Sequence, residues 1–564
     1  MASDIHQKDE TRTTDVENDA AQAEKPPAEK KELTAAEEDA AGKVYPPMIQ
    51  VLPTMMAIFM ALFLTSLDRT IIATAIPVLT DRFKSVGDIG WYTSAYLLTA
   101  CSSQLFYGRI YTFYSPKWVF LSSITLFELG SLICGVAPSS AVFIVGRAVA
   151  GVGTSGIFSG GVVLTVYLVP LRRRPSYMGV MGGIMIISAI VGPLLGGAFT
   201  TKLSWRWCFY INLPIGGLTI ILTLLCLHTT RAAAEDDQSD ETKLTLRQKI
   251  ERLDPLGTIV FLPAVVCLLF ALQWGGSKYP WKEARIIVLF VLSAILTVIF
   301  SVIQVWKQEN ATLPPRILKY RSVTAASFFA FCISGAMTST TMMLPIWFQA
   351  IQGVDALQSG IRTLPLIISF LVASIISGGM TSKIGYYTPF LILCAIILAV
   401  GSGLLSTLQV DSGKAAWIGF QVCFGFGIGL GQQQAGLAAQ TVLPSKDVPT
   451  GVALKFFGQS LGGAIFVTIG QSVLSNRLVH NLTKIPGLMA SHPDLDPSQI
   501  VNMGALELRQ VFGPQYAEAV LFAFNKSLDS VFQVGIYASC LAFIGALFVE
   551  WKSIKGIEIK KGGF

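Results

Sequence analysis

Fourteen apolar runs set the terms on which this chain can fold. They lie at 50–75, 89–108, 118–136, 141–165, 176–199, 207–227, 255–274, 286–306, 322–348, 357–381, 389–407, 415–437, 449–473 and 528–550. At ~1.5 Å per residue each reaches about the ~30 Å depth of a bilayer's hydrocarbon. Lipid offers the backbone no hydrogen-bond partner, so each run is expected to be a helix. The chain is 52% hydrophobic and 14% charged, whereas soluble domains carry about 25% charged residues. The expected fold is therefore an all-α integral membrane protein with 14 transmembrane helices.

The segments between the runs divide the chain. Residues 1–47 are rich in Asp, Glu, Lys, Ala and Thr and lack apolar residues to bury, which predicts a disordered cytosolic tail without a signal peptide. Residues 48–227 make an N-terminal six-helix bundle, and the charged stretch 228–254 a cytosolic loop. Asp254-Pro255-Leu256-Gly257 then opens a seventh span with a helix-start signal. Residues 255–306 supply two additional helices and 307–473 the first five helices of a C-terminal bundle. Residues 474–527 form a long extracytosolic loop, 528–550 the last span and 551–564 a cytosolic tail.

The short loops assigned to the cytosol carry most of the Lys and Arg, among them Arg172, Arg173, Arg174, Lys243, Arg247 and Arg316. That bias predicts both termini in the cytosol. Two sequons, at Asn481 and Asn525, then fall outside as glycosylation candidates, and a third, at Asn310, falls inside.

The net charge of +7 is scattered over short loops, so no nucleic-acid surface is expected. The four histidines are too dispersed for a metal site. The nine cysteines lie in or beside apolar runs and read as small buried hydrophobes. The glycine-rich run near Gly431 follows no strand and lacks a Gly-Lys-Ser/Thr ending, so it is no phosphate loop. No enzyme, cofactor or metal is expected.

Four motifs fall in order on the first six spans. Span one carries Leu67-Asp68-Arg69-Thr70 with Ala75 and Pro77, and span four carries Arg147, Gly151 and Gly153. Span five carries Gly179 and Gly192-Pro193-x-x-Gly196-Gly197, with Ser188 at a further glycine position. Trp205-Arg206-Trp207 through Asn212-Leu213-Pro214 enters span six. With these motifs the chain resembles the fourteen-span drug:proton antiporters of the major facilitator superfamily, of the fungal toxin and secondary-metabolite efflux type. The resemblance covers about residues 48–552. It implies the major facilitator fold in a 6+2+6 arrangement, and it makes the span-five motif a gating element. Between spans two and three the superfamily's Gly-x-x-x-Asp-x-x-Gly-x-Lys pattern keeps Gly108 and Lys117, but its Asp is Thr112.

Ionisable residues within spans are costly and read as functional. Asp68, Glu128 and Arg147 fall in one layer, ~9–10 Å below the outer surface by helical rise. Burial raises a carboxylate's pKa and a nearby arginine lowers it, so such a set can load and release a proton. Asp68 is the expected carrier, Arg147 its modulator and Glu128 a second carrier. Arg362 and Lys455 lie near span ends, where long basic side chains snorkel. Thr338, Thr341, Trp347, Gln349, Gln433 and Gln459 are candidates to line a cavity for a neutral or amphiphilic ligand.

The function expected is proton-coupled export of a small organic compound by a monomer, most simply in the plasma membrane, with a vacuolar or vesicular membrane as the other location. Proton-coupled uptake of a siderophore or nutrient is the alternative.

Overall fold

The computed structural model describes residues 45–85, 88–227, 248, 251–276, 279–486, 488 and 513–555. The 1–47 and 551–564 tails and the 228–254 loop therefore lie mostly outside the described residues.

Six long helices come first: α1 (Met48–Phe83), α2 (Ile89–Phe113), α3 (Pro116–Val136), α4 (Ser140–Leu168), α5 (Arg174–Lys202) and α6 (Asn212–Cys226), the last preceded by a single turn, Trp207–Tyr210. A hairpin of α7 (Pro255–Trp274) and α8 (Ala284–Lys307) follows. Then come α9 (Arg321–Ala350), α10 (Leu364–Ile384), α11 (Thr388–Leu405), α12 (Lys414–Gly431), α13 (Val448–Thr483) and α14 (Gly513–Leu547). A short helix, Gln434–Val442, continues α12 toward α13.

Proline sits in the first turn of α3, α5, α7, α10, α11 and α13, where its missing N–H would be unpaired anyway. Asp254 caps α7, its Oδ1 accepting from the Gly257 amide at 2.9 Å. Gly385, at φ +92°, ends α10 in the left-handed conformation that glycine adopts without strain.

Thirteen of these helices are long and apolar enough to cross a membrane. Of the fourteen runs expected, α2 is the exception. It is 25 residues long but carries Ser94, Thr99, Ser102, Ser103 and Gln104, whose hydroxyls and amide bond to carbonyls of their own turn or to other helices. Its polarity is turned inward. The segment 474–527 is less of a loop than expected: α13 runs on to Thr483 and α14 starts at Gly513.

Helices α1–α6 pack as one half and α9–α14 as another. The halves meet along two seams, α5 on α10 and α2 on α13. Each seam joins the fifth helix of one half to the second of the other, so the pair of seams repeats as a twofold would. The contacts gather toward the end of the bundle where α1 begins, termed proximal below. A side chain at Gly179 would lie 2.7 Å from the Ser374 carbonyl, and Ser176 bonds Ser382 at 3.0 Å. On the other seam a side chain at Gly108 would lie 2.6 Å from Ala453, and Thr112 bonds Thr450 at 3.3 Å.

The α7–α8 hairpin covers the α2–α13 seam. Gln273 donates to Ser94 at 2.5 Å, Trp91 packs edge-on against Phe270, and Phe261 packs against Phe457 of α13 at 5.3 Å between ring centroids.

Candidate functional site

The first half holds a charge pair sealed from solvent. Arg147 Nη1 on α4 lies 2.6 Å from Asp68 Oδ2 on α1, and their side chains are 1% and 0% exposed. Arg147 Nε donates to the Tyr92 carbonyl at 3.0 Å, and its guanidinium stacks 4.4 Å from the Tyr96 ring. The Tyr96 hydroxyl is fixed in turn by Thr154 at 2.6 Å. The remaining Asp68 oxygen accepts from Asn212 Nδ2 at 3.4 Å, and the same nitrogen donates to Ser131 Oγ at 3.1 Å. A buried ion pair is tolerable only with further hydrogen bonds around it, and here residues of five helices take part, although Arg147 Nη2 keeps no partner.

Glu128 is buried at 8% exposure, yet neither carboxylate oxygen has a hydrogen-bond partner. It presses on Gly216 of α6, the one residue type that leaves it room. Glu128 precedes Ser131 by one turn of α3, and Gly216 follows Asn212 by one turn of α6. The two contacts stack, so Glu128 lies one helical turn, ~5.4 Å along the axis, from the Asn212–Ser131 bond. Of the three residues expected in one layer, Asp68 and Arg147 touch and Glu128 does not.

Three residues escaped the sequence reading. Asn212 was visible only as part of a motif. Arg69, next to Asp68, is exposed on a different side of α1. A guanidinium in mid-span is costly against lipid. Asp529 on α14 accepts from Asn525 at 3.2 Å.

The span-five motif divides its contacts. Gly179 packs on α10 of the second half, and Ser374 Oγ donates to its carbonyl at 3.4 Å. Gly192 and Gly196 instead meet Thr70, Ile71 and Thr74 of α1, in their own half. Pro193 is exposed and Gly197 faces open space. Of the motif's glycines, only the first thus packs against the second half. The cause is the slant of α5, whose start leans on α10 and whose end leans on α1. Ser188 fits because its hydroxyl donates to the Phe63 carbonyl at 3.1 Å.

The cavity candidates separate likewise. Trp347 is not a lining residue: it is 0% exposed in the core of the second half, and its indole N–H donates to Asn525 Oδ1 at 2.7 Å. That bond also corrects Asn525 as a glycan site. The residue is 5% exposed and its Nδ2 donates to the Leu408 carbonyl at 2.7 Å, so a sugar has no room. Asn481 is half-buried in α13 and donates to Ser527 at 2.9 Å.

Thr338 and Thr341 donate to carbonyls of their own helix, at 2.7 and 2.8 Å, and both are half-buried, as is Gln349. Gln433 reaches across the seam toward Gly182 of α5. Lys455 does not snorkel: it is 3% exposed, and Gln459 accepts from it at 2.7 Å. The glycines around it bring α13 too close to its neighbours for the chain to swing out.

The profile of the Major Facilitator Superfamily matches residues 58–467. The chain belongs to that superfamily. It is similar to the MFS-type transporter VdtG of Byssochlamys spectabilis, at 46% identity over 91% of this chain and 90% of the relative. It is also similar to the efflux pump aflT of Aspergillus parasiticus, at 47% over 89% and 95%, and to the rubrofusarin-specific efflux pump aurT of Gibberella zeae, at 45% over 91% and 92%. Among solved structures, the human organic anion transporter TETRAN aligns with TM-score 0.55 at 12% identity over 90% of this chain and 100% of its own. The proton:xylose symporter XylE aligns at 0.55 and 11%, over 90% and 98%. These two share the fold.

Proposed function

We propose that this protein is a proton-coupled exporter of a small organic compound, working as a monomer in the plasma membrane with both termini in the cytosol. The carrying observation is the Asp68–Arg147 pair, a sealed charge pair joining two helices that move relative to one another if the half is to change shape. Relatives covering nine-tenths of the chain and named as efflux pumps support the outward direction. The Lys and Arg bias makes the proximal end cytosolic, so halves joined there describe an outward-facing state.

The chemistry follows from the pair. A proton reaching Asp68 neutralises it and ends its attraction for Arg147, leaving the guanidinium with the Tyr92 carbonyl and the Tyr96 ring. The link between α1 and α4 then loosens and the halves can rock to open at the cytosolic end. Loss of the proton to the cytosol restores the pair. Glu128, free of competing bonds, is the second carrier, one helical turn from the Asn212–Ser131 bond that leads to Asp68. Gly179 and its neighbours on α5 are the gate, closing the cytosolic seam against α10.

Inside-out plasma-membrane vesicles test this. An imposed proton gradient should drive accumulation of at least one compound from a panel of aromatic secondary metabolites. Accumulation in right-side-out vesicles alone would establish uptake instead.

A further inference from the structure

A buried amine without a counter-ion lies in the half opposite the Asp68–Arg147 pair. Lys455 sits in the second turn of α13, with its Nζ 2.7 Å from Gln459 Oε1 and 4.3 Å from the Phe456 ring. Among the described residues no carboxylate comes within 4.0 Å of it. An ammonium in such a place is strongly disfavoured, and one neutral amide oxygen offsets little of that.

Its neighbours show what it faces. One turn before it, Gly451 meets Ala439 of the Gln434–Val442 helix and Leu443 just past its end; after it, Gly458 and Gly462 meet the Ser327 and Phe331 carbonyls of α9. The adjacent Phe456 packs on Phe158 of α4, across the divide between the halves, at 6.0 Å. The amine is aimed away from the closed end, toward half-buried Gln459. It therefore lies at the floor of the space between the halves.

The antiparallel pairing of Gly451 with Leu443 sets Gln440 at the same level. Gln440 is 5% exposed, and neither end of its amide has a partner. Arg69 of the first half is a second cation within a span, exposed on α1. The intramembrane carboxylates do not balance them: Asp68 is held by Arg147, Glu128 lies against Gly216, and Asp529 is beside Asn525 on α14.

We propose that Lys455, Gln459 and Gln440 form a binding subsite for an aromatic organic acid, a ring compound whose ionised hydroxyl or carboxyl group supplies the missing counter-ion. The amine binds the anionic oxygen, the two amides bind flanking hydroxyl or carbonyl groups, and Phe456 and Phe158 offer ring faces. The name cargo for this ligand rests on the export reading; its binding does not.

Equilibrium binding to the purified full chain in detergent tests the subsite with three fluorescent probes: 7-hydroxycoumarin, coumarin-3-carboxylate and uncharged 7-methoxycoumarin. At a pH where both acids are ionised, at least one should bind ~10-fold or more tightly than the methyl ether. Lys455→Met should abolish that preference while leaving the ether's affinity unchanged, and Lys455→Arg should keep it. Gln459→Leu should weaken the acids alone by a smaller factor. Equal affinity for all three probes, no binding of any, or equal loss of all three in Lys455→Met would each overturn the assignment. The probe comparison on the unaltered chain needs no variant to fold. If the vesicles fail to accumulate any compound, the export reading falls and this binding preference stands; if the preference is absent, the converse holds.

Discussion

Replacing Asp68 by Asn isolates the charge in the buried pair while keeping the shape. Arg147 then stays at 1% exposure with no anion. Removing one partner of a buried pair costs about 3–5 kcal/mol. Here the Tyr92 carbonyl at 3.0 Å and the Tyr96 ring at 4.4 Å remain, and the new amide oxygen can still face the guanidinium. The loss should sit near the lower end, about 3 kcal/mol, which is ~100-fold in an equilibrium between conformations.

Two measurements separate coupling from plain stability: the thermal midpoint in detergent and gradient-driven accumulation in inside-out vesicles. Asp68→Asn should lower the first and abolish the second. Asp68→Asn combined with Arg147→Gln makes a neutral hydrogen-bonded pair, and should recover most of the midpoint and none of the accumulation. Gradient-driven transport by the double variant would refute the reasoning, because it would make the pair a static brace.

Glu128→Gln should change stability by no more than about 1 kcal/mol, read from the thermal midpoint, since the carboxylate makes no hydrogen bond, while reducing gradient-driven flux; unchanged flux removes it from the path. Gly179→Leu should overpack the seam at the Ser374 carbonyl by about 1–3 kcal/mol and bias the halves apart there, read as increased labelling of a cysteine placed at Ser382, whereas Gly197→Leu, in open space, should change neither labelling nor flux. Asp254 lies outside the spans. Burial alone would raise its pKa, but Lys307 at 2.9 Å and the Gly257, Gln304 and Thr312 donors outweigh that and hold it below its ordinary 3.8. Its contribution to stability is present above about pH 4 and is lost as pH falls through the folded value. Asp254→Asn should flatten that acid limb of a thermal-stability profile, and an unaltered limb would assign it elsewhere.

Much of this was legible beforehand because membrane helices are written in length and apolarity. The ends were less so. The α2 helix hides its span behind Ser94 and Gln104, and α13 and α14 extend past their apolar stretches because each pairs with the other beyond the bilayer core, as Asn481 does with Ser527. That Asp68 and Arg147 lie at one depth could be anticipated from helical rise, but not that they pair, since Glu128 was expected at the same depth and makes no such contact. Asn212 could not, because an amide costs little enough in a span to pass as ordinary. Nor could the fate of Trp347 and Lys455. Which side of a helix faces a cavity is set by neighbours far along the chain, Asn525 in one case and the Gln434–Val442 helix in the other.

The α7–α8 hairpin has a consequence for how the molecule meets its surroundings. A transporter with two equivalent seams presents the bilayer with two like clefts, front and back. Here one is shuttered: Phe261, Phe270 and Trp274 lie across the α2–α13 side and tie it with the Gln273–Ser94 bond. Among the described residues no such hairpin covers the α5–α10 side. The protein, though nearly symmetric in its halves, thus has a handed orientation toward the lipid around it.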